Sequence, residues 1–511
     1  MAKKGGNIVI IGGGASGMTA AIRAKQKGAE RVILLEASSE LGGNAVYAPV
    51  PLLDADKLTE EAIEQEYLEM MQFTDWTSDP RIVRTLLENS ARIPQWLKES
   101  GAALKSGEKD GKLAAFLASK CYELGVDVRL NCYAKKILKD ANDWCSGVWV
   151  AQNGKSFEID ATVVVMATGG FLGENRLMEQ FCPYYDEVFF DEVGHSGKLY
   201  SGNGVEMAIH AGAGDEGIST FIYTDDKMPF YKGTLTPCLQ AVINDPCALV
   251  VNNVGIRFSN EARATSPATY YHQPNKDIFR IYTLDTIEAL AEKYPGVVTV
   301  AGFLEDIKPL IAADQCLIAA DEKPIAAWIR GKYHILSGAL EKYARYSQTG
   351  HDDDFGKEPD ALLSFGQKKP YYVFRSGLSL GFTMGPIKVN PMMSCVTKFD
   401  VPTAALCACG SLIGDIFTTH FVSLERSRGI RFAIASGLLA GEHADMFTRG
   451  GGPAPKYVWP RFTAEQVMAG DYYNVGTPAG GLGGPVQPGA EFGATPRAQM
   501  EPPKNMSRLA H

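Results

Sequence analysis

The sequence predicts an α/β fold in which a Rossmann-like parallel sheet, with helices and a β-meander, is split in two by an inserted α+β segment. Residues 7–36 follow the order strand, glycine-rich turn, helix, strand. A hairpin and a buried strand over 161–170 extend this layer, and apolar, glycine-rich strands return from residue 376. Aromatic residues, prolines and short strands fill 214–370 instead, so this stretch is expected to be an insertion.

The opening unit carries the strongest motif. Asn7–Ile11 is a short β-branched run, too brief for a helix. It leads into Gly12–Gly17, which fits G-x-G-x-x-G, and a helix-forming segment over Met18–Lys27 follows. A second strand, Arg31–Leu35, then precedes an acidic residue. The motif therefore stands in the structural context that gives it meaning.

Each position of the motif has a physical role. Gly12 permits the tight turn, Gly14 lets the backbone approach a pyrophosphate, and Gly17 lets the helix pack against the strand. Free N–H groups at the helix start hold phosphate charge. Glu36 lies 19 residues after Gly17, where a carboxylate can accept a hydrogen bond from a ribose hydroxyl. The unit predicts dinucleotide binding; the alternative is a glycine-rich turn in an ordinary α/β protein.

A second glycine loop indicates which dinucleotide is bound. Leu41-Gly42-Gly43-Asn44 follows soon after the acidic residue, where FAD enzymes wrap another loop around the pyrophosphate and the isoalloxazine. NAD domains do not need that loop. Together, Gly12–Gly17, Glu36 and Gly42-Gly43-Asn44 resemble the flavoprotein of the fumarate reductase and succinate dehydrogenase family, whose relatives include 3-ketosteroid dehydrogenases.

The resemblance covers roughly residues 5–447 and implies further contacts with FAD. In this family, the backbone near Ala134 would meet the adenine, Ala167–Gly170 would close over the cofactor, and 201–208 would form a Thr-Gly-Asp-Gly-like loop. The closing half would supply the turn at 404–411 and a helix whose N-terminus faces the flavin pyrimidine. The residues expected to hold FAD are Gly12, Gly14, Ala15, Ser16, Gly17, Glu36, Ala37, Gly42, Gly43, Asn44, Ala45, Ala134, Ala167, Thr168, Gly169, Asn203, Gly410, Ser411, Arg428, Gly429 and Ile430.

The resemblance also implies that FAD is bound non-covalently. Covalent members of the family attach it through a histidine close after the second glycine loop. In this chain no histidine precedes His195.

Composition excludes several classes of function. The chain has a formal net charge of −9 and no basic block, which argues against nucleic-acid partners. Ten cysteines occur without C-x-x-C spacing, so zinc, iron–sulfur and c-type haem sites are not expected and no metal site is predicted. No apolar run is long enough to span a membrane. The start, Met-Ala-Lys-Lys-Gly-Gly, runs directly into the first strand, so a cytoplasmic protein is expected.

Length predicts several domains, since 511 residues exceed one core. We expect the first part of the FAD domain at 5–213, a capping domain that contributes to the substrate site at 214–372, and the second part of the FAD domain at 373–449. The tail, 450–511, is rich in glycine and proline and is expected to be extended or disordered. The sequence leaves the oligomeric state open.

Two further patterns are interpreted as structural. The apolar stripes Ile63/Tyr67/Met70/Met71 and Ile82/Leu86/Ile93/Leu97 predict covering helices, with Asp79-Pro80 starting the second. In the insertion, helices are expected over 284–293 and 325–344. Gly350–Phe355 contains three consecutive aspartates that cannot all face one ion, so it is expected to be a solvated turn. Cys407 and Cys409, the nearest cysteine pair, are expected to pack in the core.

The residue facing the substrate departs from the fumarate reductases. Those enzymes bind a carboxylate with the histidine of His-Thr-Met-Gly-Gly, whereas this chain has Phe382 in Phe-Thr-Met-Gly-Pro. An aromatic ring cannot replace a cationic hydrogen-bond donor, so a dicarboxylate substrate is not expected.

The resemblance suggests several candidates for catalysis. The late arginine of the family falls near Arg426 or Arg428, with His420 upstream at altered spacing. Arg263 follows Arg-Phe-Ser-Asn-Glu, two places earlier than the proton-donating arginine of the family, and the alternative is an exposed arginine. Tyr47 and Tyr372 could donate to an enone oxygen, as tyrosines do in ketosteroid dehydrogenases; the alternative is packing.

These observations predict an FAD-dependent reductase of a C=C or related bond in an apolar, oxygenated organic substrate of steroid, phenylpropanoid or isoflavonoid type. Flavin N5 would deliver hydride, and an arginine or tyrosine would supply the proton. One alternative is the reverse reaction, dehydrogenation of a ring ketone. Another is a flavin protein that carries electrons without turning over a substrate. The sequence does not identify the electron donor, because it contains no second nucleotide, haem or iron–sulfur motif.

Overall fold

The computed structural model of the protein describes residues 6–48, 50–51, 58–108, 111–182, 185, 201–217, 219–224, 228, 230–231, 233–263, 269–270, 272–377, 379–417 and 428–449. Over residues 220–224 and 379–382 the description concerns the backbone. In chain order, the strands are β1 (Asn7–Ile11), β2 (Arg31–Leu35), β3 (Asp127–Arg129), β4 (Cys132–Lys139), β5 (Cys145–Gln152), β6 (Lys155–Asp160), β7 (Val163–Met166), β8 (Thr220–Thr224), β9 (Leu249–Asn252), β10 (Ile278–Thr283), β11 (Cys316–Ala319), β12 (Tyr371–Ser376), β13 (Ser379–Met384), β14 (Ser394–Val396) and β15 (Pro402–Ala408).

The helices are α1 (Ala15–Lys27), α2 (Glu60–Phe73), α3 (Pro80–Ser90), α4 (Ile93–Glu99), α5 (Lys112–Glu123), α6 (Asn175–Phe181), α7 (Asn203–His210), α8 (Pro237–Asn244), α9 (Leu284–Lys293), α10 (Val300–Asp306), α11 (Lys308–Ala312), α12 (Glu322–Trp328), α13 (Tyr333–Thr349) and α14 (Arg428–Thr448).

The central sheet has the strand order β14-β15-β7-β1-β2-β3 within the described residues. All neighbours are parallel except the β14–β15 pair at the edge. The β-branched residues of its central strands β1 and β7 are buried, as expected for a parallel sheet covered on both faces. Since β15 follows the insertion and pairs with β7, the sheet combines strands that lie before the insertion with strands that lie after it. This arrangement confirms the predicted split α/β fold.

A meander and an antiparallel sheet complete the layers. Strands β4, β5 and β6 form the meander, and the β5–β6 turn at Asn153-Gly154 has φ +50° and +72°, a left-handed geometry suited to those residues. The insertion contains the antiparallel sheet β11-β12-β10-β9. The hydrophobic core of the insertion consists of residues within 228–374, whereas the main hydrophobic core consists of residues within 8–213 and 384–444. The domain boundaries themselves stay predictions.

The helices confirm most of the expected patterns. Both apolar stripes of α2, α3 and α4 are buried, and Asp79 caps α3 by accepting a hydrogen bond from Arg81 N at 2.8 Å. Cys407 and Cys409 are fully buried, as predicted. In the part of the chain that the structure describes, no helix is long and apolar enough to cross a membrane.

Two expectations in the insertion need correction. The single helix expected over 325–344 is two helices, α12 and α13, separated by a turn in which Arg330 has φ +58° and is followed by a glycine. The turn Gly350–Phe355 is solvated only in part, because Asp352 is 3% exposed. Its carboxylate accepts hydrogen bonds from Arg257, and a buried guanidinium requires such a partner.

Candidate functional site

Of the three motif glycines in the first glycine loop, only one has open space where a side chain would be. Gly12 has φ +109°, and a Cβ added there would overlap the carbonyl oxygen of Ala167. A Cβ on Gly17 would overlap the carbonyl oxygen of Gly12, so this glycine allows α1 to pack on the turn. A Cβ on Gly14 would meet nothing within 4 Å. The loop is therefore tight where the protein packs and open at the start of α1, where an anion fits.

Glu36 is held against this loop through its carboxylate. Its Oε2 accepts a hydrogen bond from the backbone N–H of Gly13 at 2.7 Å, and Oε1 accepts from Ser38 N at 2.8 Å. Each carboxylate oxygen can accept more than one hydrogen bond, so capacity remains for ribose hydroxyls. Ala37 lies between Glu36 and Ser38, which this second hydrogen bond joins. The backbone oxygen of Glu36 also accepts from Cys132 N at 2.9 Å, which places the beginning of β4, two residues before Ala134, at the same loop.

The second glycine loop lies directly on the first. The backbone N–H of Gly42 donates to the carbonyl oxygen of Gly13 at 2.9 Å. A short 3-10 helix, Gly43–Val46, follows; it includes Asn44 and the buried Ala45. Tyr47 comes next and is 65% exposed. The predicted juxtaposition of the two loops is therefore present.

The residues at the carboxyl end of β7 form the next part of the candidate site. Ala167 N donates to Ile11 O at 2.8 Å, and Gly169 has φ +80°. Thr168 Oγ1 is buried without a hydrogen-bond partner among the described residues. A Cβ on Gly204, which follows Asn203 at the start of α7, would overlap this hydroxyl. The orphan hydroxyl is a polar group for which a bound cofactor would supply a partner.

The turn after β15 closes the arrangement. Gly410 has φ +73°, and a Cβ there would overlap Ser16 Oγ, next to Ala15 at the start of α1. Gly410 N donates to Ser436 Oγ of α14 at 3.0 Å. The carbonyl oxygen of Ser411 accepts from Gly385 N at 3.1 Å. Chain segments far apart in sequence thus meet at the start of α1. The open position at Gly14, the orphan hydroxyl of Thr168 and the backbone N–H groups of the first helical turn fit a dinucleotide pyrophosphate.

The first turn of α14 is attached to α2 by buried ion pairs. Arg428 Nε lies 2.7 Å from Glu66 Oε1, and Arg431 Nη1 lies 3.1 Å from both Glu66 oxygens. Burial opposes ionisation of Glu66, but the two guanidiniums outweigh it and hold its pKa below the usual value. Gly429 and Ile430, predicted to face the flavin, lie between the two arginines. The anionic partner of these arginines is therefore at least in part a protein carboxylate.

Sequence reasoning missed Glu66, although a signal was present. Glu66 lies three residues after Ile63 and four before Met70, both in the buried stripe of α2. Helical spacing therefore placed it on the buried face. A carboxylate at such a position needs a cationic partner, and the arginines at the start of α14 provide it.

The candidate catalytic residues are not brought together within the described part of the chain. Arg263 is exposed, and its Nε lies 3.0 Å from Glu358 Oε1. Tyr372 is 2% exposed in the core of the insertion, with its ring centroid 5.0 Å from that of Phe303. His420 and Arg426 lie outside the described residues. Phe382 lies in β13 opposite Ile222 of β8.

The segment that contains Phe382 adjoins the cofactor loops. The next residue, Thr383, is buried and its Oγ1 accepts a hydrogen bond from Phe171 N at 2.7 Å. A Cβ on Gly170 would overlap that same hydroxyl. The Phe-Thr-Met-Gly strand therefore lies beside the carboxyl end of β7.

Comparisons with known proteins agree with this geometry. The model of the FAD binding domain family matches residues 7–115 and 108–421. The chain is 26% identical over 487 residues to the vinyl phenol reductase of Lactiplantibacillus plantarum, covering 86% of this chain and 97% of that protein. It is 25% identical to the NADH:fumarate oxidoreductase of Klebsiella pneumoniae, covering 88% of this chain but only 48% of that protein, about half its length.

A solved structure has the same fold. The 3-ketosteroid delta1-dehydrogenase from Sterolibacterium denitrificans, in complex with 1,4-androstadiene-3,17-dione, superposes with a TM-score of 0.66 at 15% identity. The match covers 86% of this chain and 98% of that one.

Proposed function

This chain belongs to the FAD binding domain family, which includes the flavoproteins of fumarate reductase and succinate dehydrogenase, and we propose that it reduces a carbon–carbon double bond of an apolar, oxygenated organic molecule. It is an FAD-dependent oxidoreductase. The observation that carries the proposal is the meeting of the loops at Gly12–Gly17, Gly42, Ala167–Gly169 and Gly410 around the start of α1.

The chain's own residues would bind and orient the cofactor. The carboxylate of Glu36 would accept hydrogen bonds from a ribose hydroxyl, and the free N–H groups at the start of α1 would hold the pyrophosphate. When bound, FAD supplies a hydride to one carbon of the double bond. A protein side chain then has to deliver one proton to the neighbouring carbon, which balances the reduction.

We propose Arg426 as that side chain or as the group that stabilises charge developing on the substrate. It lies two residues before α14, whose first turn is fixed to α2. His420 is its companion candidate in the same stretch. Arg263 is proposed second, since it is exposed and paired with Glu358. Tyr47 is exposed and Tyr372 is enclosed in a core, so both are proposed last.

The proposed substrate class is supported by one residue and one relative. Phe382 replaces the family's carboxylate-binding histidine, which favours an apolar contact over a dicarboxylate. The relative matched over 97% of its length is named for reduction of a vinyl phenol, an aromatic molecule that carries a C=C bond.

A reoxidation assay tests the proposal. Purified enzyme is photoreduced without oxygen, and flavin absorbance is followed after addition of vinyl phenols, enones, enoates or flavonoids. The expected result is that one class reoxidises the flavin rapidly and gives a product that is two hydrogens heavier. If no compound exceeds the buffer rate, the electron-carrier alternative replaces this proposal. If a saturated ring ketone instead reduces the oxidised enzyme, the reaction is a dehydrogenation.

A further inference from the structure

The carboxylate of Glu66 connects two helices that are separated by more than 350 residues of sequence. It lies on α2, is 2% exposed, and contacts both arginines of the first turn of α14. Arg428 and Arg431 are themselves 4% and 1% exposed. Water therefore screens these charges poorly, and their field extends further than that of surface ion pairs.

The cluster places charges of both signs at the first turn of α14. The buried carboxylate of Glu66 contacts the guanidiniums of Arg428 and Arg431. Glu69 lies 3.4 Å from Arg428 Nη2, but its side chain is 40% exposed and its contribution is weaker. The first turn of α14 contains no acidic residue. Glu66 therefore offsets positive charge at a helix end that is already positive.

The same helix also reaches the cofactor loops. Its Ser436 Oγ accepts a hydrogen bond from Gly410 N, and a Cβ on Gly437 would overlap the backbone of Ser16. At a rise of about 1.5 Å per residue, Arg428 lies roughly 13 Å along the axis from Gly437. One rigid element thus connects the buried charge cluster to the pyrophosphate end of the site.

We propose that Glu66 is a positioning residue: through Arg428 and Arg431 it sets the electrostatic potential at the first turn of α14 and thereby the reduction potential of FAD. This inference rests on the proposed placement of Arg428–Ile430 beside the flavin. A reduced, anionic flavin is stabilised by nearby positive charge. Removing the negative charge of Glu66 should therefore favour reduction, and removing a positive charge of the cluster should oppose it.

The test measures the midpoint potential of FAD-loaded enzyme against redox dyes. Glu66→Gln should shift the reduction equilibrium about tenfold toward reduced flavin, a rise of roughly 30 mV for a two-electron couple. Arg431→Gln should shift it about tenfold the other way. Glu64→Gln is the matched control on the same helix, because Glu64 is half exposed and pairs with Arg84; it should leave the potential unchanged.

The opposite directions in which Glu66→Gln and Arg431→Gln should shift the potential distinguish this electrostatic role from a purely structural one. An unchanged potential in FAD-loaded Glu66→Gln overturns the inference. If that variant loses FAD or does not fold, Arg431→Gln and Glu69→Gln, at a partly exposed position, replace it. The midpoint potential should fall in Arg431→Gln and rise by a smaller amount in Glu69→Gln. If it shifts in neither variant, the inference is overturned. Failure of the proposed function is seen separately, since wild-type enzyme would then hold FAD and reduce no compound while the potentials still shift.

Discussion

Arg257 and Asp352 form a two-point ion pair in the interior of the insertion, with Nη1 2.8 Å from Oδ1 and Nη2 2.7 Å from Oδ2. Glu261 accepts from the same guanidinium, and Lys357 Nζ lies 3.2 Å from Glu261 Oε2. Asp352 also accepts from the backbone N–H of Lys357 at 3.1 Å. The pair therefore fixes the turn after α13 to the segment that follows β9.

Asp352→Asn should destabilise the protein by about 2–3 kcal/mol, because the buried guanidinium of Arg257 loses one of its carboxylate partners and keeps the other, Glu261. Urea unfolding at pH 7 measures the loss. Asp353→Asn is the matched control: that neighbouring side chain is 61% exposed, and the free energy of unfolding should change by less than about 0.5 kcal/mol. Equal effects of the two variants would contradict the assigned role.

The same pair should produce an acid dependence. Burial opposes ionisation of Asp352, but Arg257 outweighs it and lowers the pKa to about 2 from an ordinary 3.8. A folded pKa below the unfolded value means that the stabilisation is complete above about pH 4 and is lost as pH falls toward 2. The difference corresponds to about 2 kcal/mol. Over that range the wild type should lose about this much more stability than Asp352→Asn, because the other carboxylates with lowered pKa values, such as Glu66 and Glu261, act in both proteins.

Asp352 and Glu66 show where sequence reasoning reaches its limit. The strands, the glycine turns and the apolar stripes follow from local patterns, and the structure confirms them. The carboxylates that become buried look like other acidic residues of their segments, because their partners lie 95 and about 360 residues away. Tertiary pairing decides their burial. Apolar spacing in α2 was a usable clue for Glu66; the aspartate run of the turn offered none.

Glu36→Ala should weaken FAD binding about tenfold, since a hydrogen bond to a charged group contributes on the order of 1.5 kcal/mol. The variant also removes the carboxylate that holds Gly13 N and Ser38 N. Fluorescence titration of apoprotein with FAD measures the affinity, and the FAD should be released by denaturation. Glu40→Ala, an exposed acidic residue four positions later, is the control. Release of NAD or FMN with no FAD would contradict the cofactor assignment.

Two glycines of the first loop should respond differently to alanine. Gly17→Ala would force a Cβ onto the carbonyl oxygen of Gly12, so it should lower stability by about 1–3 kcal/mol. Gly14→Ala meets open space at φ −76°, so the protein should keep its melting temperature. Its FAD affinity should fall at least about tenfold because the methyl group occupies the approach to the pyrophosphate. If Gly14→Ala binds FAD normally, the pyrophosphate lies elsewhere.

Fumarate should not be reduced at a substantial rate. Phe382 stands where the family's carboxylate-binding histidine is expected, and a phenyl ring offers no charge or donor to a dicarboxylate. The measurement is oxidation of viologen-reduced enzyme on addition of fumarate, beside a vinyl phenol as the comparison. Rapid fumarate reduction would overturn both the substrate class and the alignment of the Phe-Thr-Met-Gly strand.

Arg426→Ala should slow substrate-dependent flavin reoxidation by about two to three powers of ten, as the loss of a donor to a developing oxyanion does elsewhere. FAD content should stay near that of the wild type, because Arg428 and Arg431 keep their contacts with Glu66. Loss of FAD would place Arg426 in the cofactor site instead.

Arg263→Ala is the companion variant. A comparable loss of reoxidation rate would assign proton transfer to Arg263 despite its exposed pair with Glu358. Arg263→Lys should then fail to restore the rate if guanidinium geometry matters. If both alanine variants react at the wild-type rate, the proton comes from another group, and Tyr47 and then Tyr372 are the next residues to replace.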